Sequence, residues 1–182
     1  SQFSRLSKQN EAYKCLGFSE EINHNYKIAA EYFQKAEELE LASNSFFKGR
    51  FFNDLTAFGI NLQDISHDIR VILSRLMLGE FITYKEIQEL NTHKKIVFFT
   101  INDLLWRDDF IRIFVSFLEK NKHDKDFINH LIEIGTYIGK DSDKELYKEI
   151  ASIHFIQSNY KDAIENWEKI DDYTSENYLI AK

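Results

Sequence analysis

Six histidines, one cysteine and an excess of carboxylates are the groups in this chain that could do chemistry. The histidines are His24, His67, His93, His123, His130 and His154. A zinc-protease site needs two histidines one helical turn apart with a glutamate between them, and no H-E-x-x-H is present. The nearest approach to a metal set is His123, Asp124, Asp126 and His130, a pattern that equally describes a helix start with acids at its N-cap. His67-Asp68 has the dipeptide of metal phosphohydrolases but lacks upstream partner histidines. Cys15 lies between Lys14 and Leu16 with no histidine at a workable spacing, and it reads as an inert core thiol. There is no glycine-rich phosphate loop, no G-x-S-x-G turn and no carboxylate pair that stands out from surface acids. No metal or cofactor is expected, and the chain is not read as an enzyme.

The elements that would have to position these groups are helical. The chain has 182 residues, of which 43% are hydrophobic and 16 are phenylalanine, enough for a continuous core. Intrinsic disorder needs the opposite composition. With no proline and only six glycines, the tight turns of a sandwich or barrel have little to work with. A single cysteine excludes a disulfide framework and fits a reducing compartment. Apolar runs stay far below the ~20 residues of a membrane helix, and no basic-then-apolar leader opens the sequence. A cytoplasmic location without membrane attachment is expected.

Apolar residues recur at helical intervals, as in Ile28, Ala29, Tyr32, Phe33 and Ala36. The most strand-like stretch, Ile96 to Ile101, runs on into Leu104 and Leu105 at helical spacing. About eleven helices are expected, at 8–23, 26–41, 45–58, 61–78, 80–90, 93–106, 109–121, 125–139, 143–157, 160–170 and 175–182. Gly59 and Gly79 read as left-handed helix stops, Ser43-Asn44 as a break, and Ser142 with Glu145 as a capping box. Links this short imply antiparallel neighbours.

The chain also repeats itself. Asn10 aligned with Lys144, an offset of 134 residues, places Tyr13 on Tyr147, Leu16 on Ile150, Gly17 on Ala151, Tyr26 on Tyr160, Ala29 on Ala163 and Phe33 on Trp167. Small residues at 17 and 151 would let the second helix approach the first, Ala29 and Ala163 would complete that contact, and the aromatics at 33 and 167 would fill the space toward the next helix. The offset is close to four periods of about 34 residues.

On these residues the sequence resembles the tetratricopeptide repeat family: Tyr13, Leu16, Gly17, Tyr26, Ala29, Phe33 and Ala36 in one copy, and Tyr147, Ile150, Ala151, Tyr160, Ala163 and Trp167 in another. Both copies lack the family's closing proline, and Ile170 replaces a terminal alanine. The resemblance implies an all-α fold, a right-handed α-solenoid of antiparallel helical hairpins. It would form one domain over 1–182, with clear repeats at 10–43 and 144–175 and degenerate hairpins over 44–143. Ser175 to Lys182 begins like another first helix and then stops, as in a piece of a longer solenoid or one with a lone capping helix. The resemblance further implies a protein or peptide partner on the concave face, at Glu11, Lys14, Phe18, Glu21 and Ile22 in the first copy. In the last copy the same face holds Glu145, Lys148, Ser152, Phe155 and Ile156. Glu11/Lys14 and Glu145/Lys148 have the spacing of ion pairs worth about 0.2–0.5 kcal/mol each. His154 fills an aromatic slot as a packing residue.

The reading is therefore a protein-interaction scaffold or sensor module. One alternative is a regulatory helical-repeat domain of a larger multidomain enzyme or signalling protein. A lesser one is nucleic-acid binding through residues 80–106, which resemble a helix-turn-helix. The net charge of −7 and the apolar start of the second helix, Lys94-Lys95-Ile96-Val97, argue against a groove reader.

Overall fold

The computed structural model describes residues 2–60 and 64–182, and among them are twelve helices and no strand. Contacts fall into two compact units, residues 1–82 and 83–182. No helix among the described residues is long and apolar enough to cross a membrane.

The first unit contains α1 (Gln2–Ile22), α2 (Tyr26–Lys35), α3 (Leu39–Lys48), α4 (Phe52–Thr56) and α5 (Ile65–Met77). α1 packs on α2, α2 on α3, and both α3 and α4 on α5. Gly17 is the close-approach point between α1 and α2, where a Cβ would sit 2.6 Å from the ring of Phe33. Phe33 is fully buried beside Ala29 and Ala42, which is worth about 1.5–3 kcal/mol relative to an exposed ring. Cys15 is exposed rather than in the core, because it falls on the side of α1 turned away from α2.

The chain reverses without glycine at three helix ends among the described residues of this unit, the first at the expected break between 23 and 26 and the other two inside expected helices. His24, Glu37 and Arg50 take positive φ of 61°, 61° and 64°. Each closes its helix with a paired hydrogen-bond pattern, for example His24 N–H to Glu21 O at 3.0 Å and Asn25 N–H to Glu20 O at 2.9 Å. The expected helix 26–41 thus stops at Lys35. The expected helix 45–58 divides at Arg50, and the expected break at Ser43-Asn44 lies inside α3. Gly59 and Gly79 do adopt the left-handed conformation, with φ of 67° and 71°. The expected start of a helix at 61 lies outside the described residues; α5 is capped by Asp64, whose carboxylate accepts from His67 N–H.

The second unit contains α6 (Tyr84–Thr92), α7 (Lys94–Asn102), α8 (Arg107–Asn121), α9 (Lys125–Ile138), α10 (Lys144–Ile156), α11 (Tyr160–Lys169) and α12 (Glu176–Ala181). α9 receives α6, α7 and α8; α10 lies against α8, α9 and α11, and α12 closes on α11. Gly135 of α9 allows this approach, since a methyl group there would meet Phe114 at 3.1 Å and Ile150 at 3.2 Å. Tyr147, Ala151, Ala163, Trp167, Ile170 and Tyr178 form one buried cluster. The expected cap at Ser142 is replaced by Asp143 as the residue before α10. The reciprocal capping box is instead at Thr83 and Glu86, ahead of α6.

The 134-residue offset holds in backbone detail. Ser158 (φ 63°) matches His24 and Asp171 (φ 57°) matches Glu37. Asn159 N–H reaches His154 O at 2.8 Å as Asn25 reaches Glu20, and Asp172 N–H reaches Trp167 O at 3.0 Å as Glu38 reaches Phe33 at 2.9 Å. The surroundings differ most plainly at Leu16, which is 44% exposed, whereas Ile150 is 0% exposed among the helices packed on α10.

Candidate functional site

A cavity of about 590 Å³ lies within the second unit, between α8 and the start of α10. α8 contributes Asp108, Ile111, Arg112, Val115 and Ser116, whose intervals of three, one, three and one place them on one helical face. Its opposite side buries Phe110, Phe114 and Leu118 in the core, so core packing fixes which face is left for the cleft. The other wall is residues 142–146, with Leu146 fully buried at the floor beside Ile111.

A desolvated ion pair holds the head of the cleft together. Arg107 Nη1 and Nη2 donate to the two carboxylate oxygens of Asp143 at 2.9 and 2.6 Å, and Nη2 also donates to the Ile138 carbonyl at 2.9 Å. Burial alone would raise the Asp143 pKa; hydrogen bonds from Arg107 and from the Lys140 N–H outweigh it and hold the carboxyl below its ordinary value. One turn beyond the cavity lining, the charge of Glu119 on α8 acts on Glu149 of α10. Burial lifts the Glu149 pKa first, the Glu119 charge lifts it further, and Lys122 opposes both. Arg107 opens α8 where Asp143 precedes α10, and the Glu119 charge reaches Glu149 further along, so α8 and α10 run side by side in the same direction.

Of the residues singled out from the sequence, Glu145 lines this cleft. Lys148 is exposed on α10, Ser152 donates to the Lys148 carbonyl at 2.9 Å, and Ile156 is 55% exposed. Phe155 packs between Tyr160 and Trp167, with centroids at 5.5 and 5.9 Å, and so belongs to the α10–α11 contact. In the first unit Lys14 Nζ donates to Glu38 at 2.7 Å, a bond that raises the Lys14 pKa. Glu21 accepts from Ser45 at 3.0 Å and from Lys48 at 3.3 Å. The local Glu11–Lys14 pairing expected from spacing is therefore replaced by a contact to the chain entering α3. Phe18 lies edge-on to Phe33 at 5.1 Å, while Ile22 is 79% exposed. Ile22 and Ile156 are the same repeat position and both face solvent.

The sequence reading missed α8 altogether as a site wall, together with Glu149. Residues 44–143 carry no repeat signature, so nothing in the sequence set α8 beside α10; the one available signal was the 108-111-112-115 face, half apolar and half charged.

The remaining candidate groups are tied into packing. His67 Nε2 donates to the Gly59 carbonyl at 3.0 Å in a fully buried setting. Asp124 caps α9, accepting from Phe127 N–H at 3.2 Å. His130 engages Tyr84 at 3.2 Å and Asn91 at 3.0 Å, and among the described residues no three metal-capable side chains converge. His154 is half-buried, which lowers its pKa against the pull of Asp162. In the 80–106 segment residues 80–83 lie outside α6, and Lys94 is held by Glu133 at 3.2 Å. No protein-family profile matches the chain, and no curated protein or solved structure matches it either.

Proposed function

We propose that this chain is a helical-repeat interaction module, a right-handed solenoid of antiparallel hairpins similar to tetratricopeptide repeats. It would hold a peptide or protein segment by equilibrium binding, without making or breaking bonds. The cleft between α8 and α10 carries this reading: two helices running the same way with a partly apolar floor is the arrangement that a stack of hairpins presents on its inner face. Support for the hairpin architecture comes from the matched turns at 24 and 158 and at 37 and 171.

Capture from native lysate with the full chain as bait tests the reading. Val115→Glu, which puts a charge on the cleft wall, should abolish retention of a specific partner while circular dichroism keeps its helical amplitude. Capture that survives Val115→Glu would move the interaction off this cleft.

A further inference from the structure

We propose that the cleft between α8 and α10 selects a segment in which aliphatic side chains are followed by a lysine or arginine, the aliphatic groups lying on Ile111, Val115 and Leu146 and the cation entering between Glu119 and Glu149. The proposal rests on the peptide-binding reading above and names the chemistry of the occupant.

The cavity comes first. At about 590 Å³ it falls within the roughly 300–1,000 Å³ that bound small groups fill. Its floor of Ile111, Val115 and Leu146 gains by covering apolar area, which a wholly polar segment could not supply. The charges then choose among apolar segments. At the head, Asp108 and Glu145 stand against Arg112 and Lys144, and Arg112 is engaged by Asp109. Apart from Asp143, the lining acids and bases are equal in number, with Asp109 outside the lining adding a carboxylate at Arg112, and the buried Asp143 is neutralised by Arg107.

One turn further along, the balance is broken. Glu149 is half-buried and Glu119 is exposed, and neither enters a hydrogen bond or ion pair among the described residues. The repulsion from Glu119 reaches Glu149, and Lys122 offsets only part of the combined rise in the Glu149 pKa. A lysine or arginine arriving there would relieve two carboxylates at once. An acidic side chain would add a third, so the same pair rejects acidic segments by repulsion. The register follows from helix geometry: Val115 to Glu119 and Glu145 to Glu149 are each one turn, about 6 Å, or roughly two residues of an extended peptide.

The probes are two fluorescein-labelled peptides, Gly-Leu-Leu-Gly-Lys-Gly and its twin with glutamate in place of lysine, titrated with the full chain and followed by anisotropy. The lysine peptide should bind tighter by about fivefold at low salt, and the gap should narrow as salt screens the exposed end of the pair. Glu119→Gln with Glu149→Gln should bring the two peptides to within about twofold. A control with Glu165→Gln and Glu176→Gln, which removes the same number of charges from elsewhere on the surface, should leave the preference intact. Equal affinities, a preference for the glutamate peptide, or a lysine preference that survives the Glu119/Glu149 change would each overturn the proposal. If both peptides bind alike and Val115→Glu abolishes both, the peptide-binding reading stands and the charge assignment fails. Absence of binding by either peptide up to about 1 mM would overturn both.

Discussion

Arg107 and Asp143 meet through two parallel hydrogen bonds with both side chains only 7% exposed. Arg107 is the first residue of α8 and Asp143 immediately precedes α10, so this pair sets the spacing of the two helices that wall the cleft. Asp143→Asn leaves a buried guanidinium without its counter-charge and should cost about 3–5 kcal/mol in urea denaturation. Replacing both, Arg107→Met with Asp143→Leu, should recover most of that loss, since two charges no longer need desolvating. The pH dependence follows from the depressed Asp143 pKa. Above the unfolded-state value of about 3.9 the pair contributes fully; as pH falls through the lower folded value that contribution is lost. Acid unfolding of the native chain should include this step, and Asp143→Asn should lack it.

Gly17 tests the packing of α1 on α2. A Cβ there would stand 2.6 Å from a ring carbon of the fully buried Phe33, so the ring must move against a filled core. Gly17→Ala should destabilise by about 1–3 kcal/mol, even though alanine is the better helix former by about 1 kcal/mol. A thermal melt that rises for Gly17→Ala would show that α1 is not held this closely against Phe33.

The all-helical class and the two well-marked helix pairs were legible because they rest on periodicity and on large residues facing small ones: Phe33 over Gly17, and Trp167 with Ala151 and Ala163. The subdivision of the chain was not. Glu37 and Arg50 carry no sequence mark of a left-handed turn, so apolar spacing on either side of each runs together as one long helix. Gly59 and Gly79, whose residue type marks the left-handed conformation, do adopt it. The candidate site was half visible for a related reason. α10 carries the repeat signature and α8 does not, so Glu145 could be assigned to an inner face while Asp108, Ile111 and Val115 had no neighbour to be read against.

Glu149 carries a measurable sign of its own. Its folded-state pKa lies above the ordinary glutamate value, because of burial and then Glu119. A raised carboxyl pKa contributes no loss below the unfolded value and destabilises the fold as pH rises through the window between the unfolded and folded values. Above that window the native chain bears this cost in full. Glu149→Gln should raise the melting temperature at pH 7, by an increment of about 0.5 kcal/mol typical of surface charge pairs, and should have no effect near pH 3. A variant less stable than the native chain at pH 7 would mean that the Glu149 carboxylate is held by attraction rather than merely tolerated.

Two of the left-handed helix ends without glycine make the last prediction a paired one. Glu37 and Ser158 are exposed and hold positive φ at the ends of α2 and α10. An L-residue in that region costs roughly 1–2 kcal/mol, from which the larger unfolded-state entropy of glycine, about 0.5–1 kcal/mol, must be subtracted. Glu37→Gly and Ser158→Gly should each stabilise by about 0.5–1 kcal/mol, and the double variant should show the sum, because the sites share no partner. The same change at Lys35, inside α2, should destabilise by about 1 kcal/mol. Opposite signs for Glu37→Gly and Lys35→Gly in chemical denaturation would locate the end of α2 between them. Equal losses at both would return the chain to the single long helix that apolar spacing alone suggests.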